Sequence, residues 1–169
     1  MYFQLIQQFS RTLHQLDGVL AKADAHAKAR NWDPTKFLTS KLAPDMLPFA
    51  NQVRIACDTA KNAAAGLSGQ EPPKHEDNEQ TFEDLRGRIA KCLAYLEGFK
   101  ASDFEKTKGD AIVKMPNRPG KGIKADDLAW VRQLPNFYFH AVTAYDILRA
   151  GGVDVGKTDF LGKYDLVDL

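Results

Sequence analysis

Four histidines and two cysteines are the side chains in this 169-residue sequence whose types suggest chemistry first. His140 stands in the densest aromatic stretch of the chain, 135–152, between Phe139 and Ala141. A histidine can act as a general acid or base, because its ordinary pKa is near 6.5, or as a metal ligand. His140 and Tyr145, five residues further on, are therefore the best candidates for catalytic residues.

A metal site needs three or four ligands at fixed geometry. Neither a Glu-x-x-His repeat nor two histidines four residues apart occur, since Asn136 precedes His140 by four and Ala144 follows it by four. His140 is the only credible metal ligand, so we expect no cofactor, with zinc, nickel or iron as the alternative. The simpler interpretation is a core histidine that hydrogen-bonds a tyrosine, a carboxylate or a backbone carbonyl. The remaining histidines lie on other segments: His14, His26 and His75.

The other reactive residue types favour structural interpretations. Cys57 and Cys92 form no paired motif, which is typical of two reduced, partly buried and inert thiols in a cytosolic protein. The acidic run 76–79 carries metal-friendly side chains, but such a run before a helix is typical of a solvated start that matches the helix dipole. Thr81 caps that helix, with Asp84 placed for a capping box.

Four long helices must position these residues. Apolar residues recur at alternating spacings of three and four, a heptad stripe that is typical of bundled helices. Prolines, glycines and capping residues then predict the ends of each helix. The first predicted helix runs from Tyr2 to about Arg30, and the second starts near its N-cap Asp45, has Pro48 in its first turn and ends at Ser68-Gly69. The third runs from Thr81 to about Phe99, and the fourth from Pro135 to Gly151 or Gly152.

The connections are also informative. Residues 32–42 should lie across the end of the bundle, 69–78 should form an exposed crossover loop, and the tail 153–169 should pack across the bundle. Between 111 and 123 the sequence predicts a small β-hairpin with a turn at Asn117–Gly122, followed by a short helix capped by Asp126 or Asp127. We predict an all-α, up-down four-helix bundle with a long third-to-fourth connection, in a single domain of residues 1–169.

Composition narrows the classes of function. The 23 basic and 22 acidic residues nearly cancel, and no run of five like charges occurs, which argues against nucleic acid as a partner. No apolar segment is long enough to span a bilayer, and the first residues lack the pattern of a signal peptide. A cytoplasmic protein that has no membrane partner is expected.

A set of segments is spread over most of the chain: 42–46, 52–57, 77–82, 135–140, 144–149, 152–157 and 159–162. Together these segments resemble a bacterial and fungal domain-of-unknown-function family in the DinB/YfiT-like four-helix-bundle superfamily. The resemblance implies an up-down bundle that is often dimeric. In the better-understood branches it implies a divalent metal held by a histidine of the second helix and an H-x-x-x-H pair on the last, serving thiol-dependent transferases or isomerases. Only His140 matches that ligand set.

Three hypotheses of function follow, and whether the protein is an enzyme stays open. The first is a DinB-like bundle without the full metal site, acting as a homodimer that binds a small apolar ligand or an interaction partner. The alternative is a divalent-metal-dependent enzyme, of a thiol-dependent transferase or hydrolase type, that uses His140 with nearby carboxylates. The third is a stress-induced interaction protein without catalysis.

Overall fold

The heptad stripes form the helices that they predict. The structure, a computed structural model, describes residues 1–115 and 118–168. A 3₁₀ turn at Ala101–Phe104 and a π-helical segment at Asp127–Gln133 complete the helical elements of these residues. In chain order the helices and strands are α1 (Tyr2–Ala29), α2 (Thr35–Leu38), α3 (Phe49–Ser68), α4 (Phe82–Glu97), β1 (Ile112–Lys114), β2 (Gly122–Lys124), α5 (Leu134–Ala150) and α6 (Lys157–Leu161).

Two of the predicted helix ends are confirmed in detail. The backbone N–H of Asp84 donates to Thr81 Oγ1 at 3.1 Å, and the N–H of Thr81 donates to Asp84 Oδ2 at 3.0 Å, which is the predicted capping box. Gly69 ends α3 in the left-handed conformation, with a φ of 74°, where glycine carries no Cβ penalty.

The predicted start of the second long helix is wrong. Pro48, in an extended conformation, precedes the first residue of α3, Phe49, so Asp45 does not cap this helix. The reason is local, because a proline disfavours the helical conformation of the residue before it, here Leu47. A helix that began at Asp45 would have had to pass through that residue.

Contacts between the helices give their directions. α1 runs antiparallel to α4 and parallel to α5, whereas α3 runs antiparallel to α5 and parallel to α4. The order of directions is therefore up, down, down, up, within the predicted four-helix bundle. The contacts are Asp17–Arg86 and His14–Glu97 for α1 and α4, Tyr2–Trp130 and Phe9–Phe137 for α1 and the π–α5 run, Gln52–His140 and Thr59–Asn136 for α3 and α5, and Phe49–Phe82 and Cys57–Cys92 for α3 and α4.

The parallel arrangement of α3 and α4 constrains the segment between them. α3 has 20 residues, so the chain must run back about 30 Å, at 1.5 Å per residue, before α4 can begin. Residues 69–81 make this return along the outside of the bundle. Such a crossover needs contacts of its own, because it is not part of either helix.

Apolar side chains from all four long helices meet in one core. Within it, the tilted rings of Phe9 and Phe137 pack at a centroid distance of 4.3 Å. The second half of α3 is rich in small residues, and a Cβ at Gly66 would lie only 3.2 Å from Val113 Cγ1, so the hairpin packs closely on this helix. Within the described residues, no helix combines the length and apolar character needed to cross a bilayer.

The long connection from α4 to α5 contains the predicted hairpin. β1 and β2 pair antiparallel, with Val113 opposite Ile123. A Cβ at Gly122 would meet the Ile112 side chain of the opposite strand, so the two strands approach closely at this position. Asn117, which the sequence places in the turn, lies outside the described residues.

Residues 125–150 form one continuous helical run, which differs from the predicted short helix followed by a new start at Pro135. Neither Asp126 nor Asp127 is a side-chain cap; Asp126 Oδ1 instead accepts a hydrogen bond from the Tyr2 hydroxyl at 2.6 Å. Pro135 lacks an N–H and crowds the preceding turn of an α-helix. The wider π-helical segment directly before it accommodates the proline without ending the helix.

The first part of the tail packs across the bundle as predicted, but the prediction is wrong for residues 163–168, which are exposed. Val153 and Val155 are buried, and Asp159 of α6 forms an ion pair with Lys22 of α1, with Oδ1 and Nζ 2.7 Å apart.

Candidate functional site

His140 lies in the interface between α5 and α3, where it is 8% exposed. Its Nδ1 is 2.7 Å from Gln52 Oε1. The Gln52 amide nitrogen donates to the carbonyl oxygen of Leu47 at 2.8 Å, which orients the amide with its oxygen toward the histidine. Nδ1 therefore carries a proton and donates, and the partner is an amide rather than the tyrosine, carboxylate or backbone carbonyl that the sequence predicts.

Burial lowers the pKa of His140 below its ordinary value of 6.5. The folded protein thus holds the ring neutral at pH values where the unfolded chain binds a proton. Since the unfolded state then binds more protons, the free energy of unfolding decreases as the pH falls through about 6.5 and levels off below the folded-state pKa. A neutral ring with one proton on Nδ1 suits a structural hydrogen bond.

The residues around His140 do not fit the divalent-metal site that the superfamily resemblance implies. The α3 side chain that meets the imidazole is Gln52, whose amide oxygen already accepts the Nδ1 proton. In the described parts of the chain, 1–115 and 118–168, no three His, Cys, Asp or Glu side chains are grouped so as to hold a metal ion. A site with three or four ligands therefore cannot be assembled here from these donors.

Tyr145 faces a different part of the fold. Its hydroxyl donates to the carbonyl oxygen of Val155 at 3.4 Å, and its ring packs edge-on against Phe160 at 5.8 Å. The structure therefore places Tyr145 against the tail and His140 against α3. The two candidate catalytic residues do not converge on one substrate position.

A cluster of charged residues that the sequence interpretation missed surrounds Arg88 of α4. Arg88 is 3% exposed. Its Nη1 donates to Asp77 Oδ1 and Glu79 Oε1, both at 2.9 Å, and to the Glu76 carbonyl oxygen at 3.1 Å. Its Nη2 donates to Asp58 Oδ2 of α3 at 2.8 Å. One guanidinium thus joins α3, α4 and the crossover, and we call these residues the Arg88 cluster.

Two further cations complete the Arg88 cluster. Arg54 donates through Nε to Glu79 Oε2 at 2.6 Å and through Nη2 to the Glu79 carbonyl oxygen at 2.8 Å. Lys61 Nζ lies 2.9 Å from Asp58 Oδ1. The prediction that the acidic run 76–79 is a solvated helix start is therefore wrong for Glu79, which is buried between two arginines.

The contacts in the cluster keep Glu79 and Arg88 ionised. Burial acts to raise the pKa of Glu79, but the hydrogen bonds from Arg88 and Arg54 outweigh it and hold the pKa below its usual value. Burial likewise acts to lower the pKa of Arg88, and its acidic partners Glu79 and Asp58 raise it instead. The signal in the sequence was the position of Arg88 itself, because it lies on the apolar stripe between Leu85 and Ile89.

A polar cleft of about 580 Å³ lies beside the Arg88 cluster. Burial and the positive charges of Lys61 and Arg88 lower the pKa of His75, a half-buried residue of this cleft. A second cleft, of about 460 Å³, is lined by aromatic rings and by Asp126. Neither cleft is lined by His140 or Tyr145.

The two cysteines are free thiols and are completely buried, rather than partly buried as predicted. Cys92 Sγ donates to the carbonyl oxygen of Cys57 at 3.3 Å. The hydrogen bond with Cys92 and burial together raise the pKa of Cys57 well above its ordinary value. This agrees with inert packing, because a thiol rather than a thiolate is present.

The bundle and its core define a protein of the DinB-like class. The crystal structure of a DinB family member protein from Shewanella denitrificans superposes with a TM-score of 0.92 at 42% sequence identity, covering 99% of this chain and 95% of that one. Within this class, the chain belongs to the family described as a domain of unknown function, DUF1993, whose model matches residues 1–161. No curated protein matches the chain significantly.

The Arg88 cluster generates a stability prediction with a matched control on the same helix. Arg88→Met should lower the free energy of unfolding by about 3–5 kcal/mol, because it breaks a buried ion pair and leaves Glu79 with Arg54 as its remaining cation. Arg86→Met removes an exposed ion pair with Asp17 and should cost at most about 1 kcal/mol. Urea unfolding of the two variants measures both values, and equal losses would show that the cluster does not hold the crossover.

The hydrogen bond of His140 generates a pH prediction. Gln52→Glu places a carboxylate beside Nδ1 and should raise the pKa of His140, because the charged imidazole gains a counter-ion. Gln52→Met removes the hydrogen bond without adding charge, so the pKa should remain below its ordinary value. NMR titration of the imidazole resonances measures both, and an unchanged pKa in Gln52→Glu would mean that residue 52 does not contact the ring in solution.

Proposed function

We propose that this protein acts as a homodimeric binding or interaction protein in the cytoplasm, and that the exposed apolar face of α5 forms the dimer. The single observation that carries the proposal is that apolar side chains of this helical run are exposed: Val131 is 71%, Phe139 57% and Val142 39% exposed. The other side of the same run is part of the core. The helix therefore has apolar residues on its core-facing side and on its exposed side.

The spacing of these residues supports an interface rather than scattered surface residues. Pro135, Phe139 and Val142 lie in α5 at intervals of four and three, so they share one side of this α-helix, and Val131 precedes them in the π-helical segment. Single exposed apolar side chains are normal, but a contiguous group of them marks an interaction surface. Aromatic residues such as Phe139 are enriched at the centres of protein interfaces.

In this proposal His140 is a structural residue and no metal or other cofactor is resident. Its hydrogen bond with Gln52 supports this role, since the bond ties α3 to α5 directly behind the exposed face. The two buried free thiols support a reducing, cytoplasmic setting. A small apolar ligand would find its best place in the second cleft, beside Tyr2, Phe3 and Phe104.

The oligomeric state tests the proposal. At micromolar concentration the protein should sediment at twice the mass of one chain, and Phe139→Ser should shift it toward the monomer, because the substitution removes the aromatic centre of the interface. Tyr164→Ser is the matched control, since Tyr164 is 65% exposed but lies in the tail. A wild-type protein that stays monomeric at high micromolar concentration would refute the dimer.

Metal content tests the role given to His140. Protein purified without a histidine tag or chelator should contain far less than one equivalent of zinc, nickel or iron by elemental analysis, and His140→Ala should leave that content unchanged. The expected result follows from the donor set, in which an amide occupies the place of a ligand. Stoichiometric metal that disappears in His140→Ala would instead support the alternative, a metal-dependent enzyme.

A further inference from the structure

We infer that the α5 helices of the two protomers cross in antiparallel directions about a two-fold axis at Phe139, with Arg132 of each facing the partner's Asp146. The inference rests on the proposed function, because it specifies the interface of the proposed homodimer. The partner is a second copy of this chain. The observations that carry it are the positions, exposure and charges of these three residues.

The positions of the three residues are symmetric. Arg132 precedes Phe139 by seven residues and Asp146 follows it by seven. Seven residues make about two helical turns, so the three side chains lie along one side of the run. Arg132 and Phe139 are exposed and Asp146 is half-buried. An antiparallel two-fold arrangement about Phe139 therefore brings Arg132 against the partner's Asp146 twice.

Among the described residues, the charges of Arg132 and Asp146 have no partner. In the residues that the structure describes, the side chains of Arg132 and Asp146 make neither an ion pair nor a side-chain hydrogen bond. They are about 20 Å apart along the helical run, at about 1.5 Å per residue, so they cannot pair with each other in one protomer. A second copy supplies each with an opposite charge.

The same charges disfavour the other ways of pairing this surface. Parallel helices would set Arg132 against the partner's Arg132 and Asp146 against the partner's Asp146. An antiparallel arrangement shifted to place Phe139 opposite the partner's Val142 would set Arg132 against the partner's Arg149. Like charges facing each other across an interface are repulsive, and complementary charges select the register.

The resulting interface has the usual anatomy of a dimer. Phe139 lies on the two-fold axis, and Val142, one turn further on, extends the apolar centre. The charged pairs lie at the rim, where they are partly solvated. Each pair occurs twice, because the same surface of both protomers is used in an isologous contact. The apolar centre supplies affinity, and the charges supply direction and register.

Charge reversal tests the register. Arg132→Asp and Asp146→Arg should each raise the dimer dissociation constant about tenfold or more, because each single variant faces two like-charged contacts. An equimolar mixture of the two single variants should restore dimers as heterodimers, and the double variant Arg132→Asp/Asp146→Arg should restore homodimers. Sedimentation velocity and native mass spectrometry measure these states. Arg149→Asp is the control, since this register gives Arg149 no charged partner.

The outcomes separate the register from the dimer itself. If the wild-type protein dimerises but the mixture and the double variant stay as weak as the single variants, the register is overturned and the proposed function stands. If the wild-type protein is a monomer, both fail. Recovery in the mixture, with unchanged thermal unfolding of the single variants, supports the register, because a folding defect would not be repaired by mixing.

Discussion

The guanidinium of Arg88 is the contact on which the rest of this bundle depends. Because α3 and α4 are parallel, the chain must cross the length of the bundle between them, and residues 70–81, which make this crossing, contain no helix. Arg88 binds the crossover through Asp77 and Glu79 and binds α3 through Asp58. Burying a guanidinium is costly unless its charge is paired, and the acceptors of Arg88 lie on α3 and the crossover, so the cluster depends on all three segments.

The Arg88 cluster also explains why Glu79 differs from its acidic neighbours. Two arginines bind its carboxylate, and their hydrogen bonds outweigh the cost of burial. Since its pKa is lower in the folded state, the stabilisation is present above the ordinary pKa of a glutamate and is lost as the pH falls through the folded-state value. The parallel helix pair is therefore coupled to the ionisation of one buried carboxylate.

The inner and the outer sides of α5 have different roles. Its inner side contributes Phe137 to the core and His140 to the hydrogen bond with α3. The superfamily resemblance implied a metal between the second and the last long helices of the bundle, which are α3 and α5 here. Here the Gln52–His140 hydrogen bond joins these two helices, which preserves their contact while leaving the imidazole neutral. The outer side of α5 is free to present Phe139 at the surface.

The sequence by itself determined the elements whose causes are local. The heptad stripes, the Thr81–Asp84 capping box, Gly69 and the hairpin were predictable because residues close in sequence produce them. Where two local signals compete, the sequence predicted the outcome less well. Pro48 displaced the predicted cap at Asp45, and the π-helical segment let the chain continue through Pro135. In both cases the outcome depended on which of two nearby preferences prevailed.

Only the tertiary structure decided that Gln52 contacts His140, that Tyr145 packs against the tail, and that Arg88 binds carboxylates from α3 and the crossover. Those contacts join residues far apart in the chain, and their energies arise only when folding removes the charges from water.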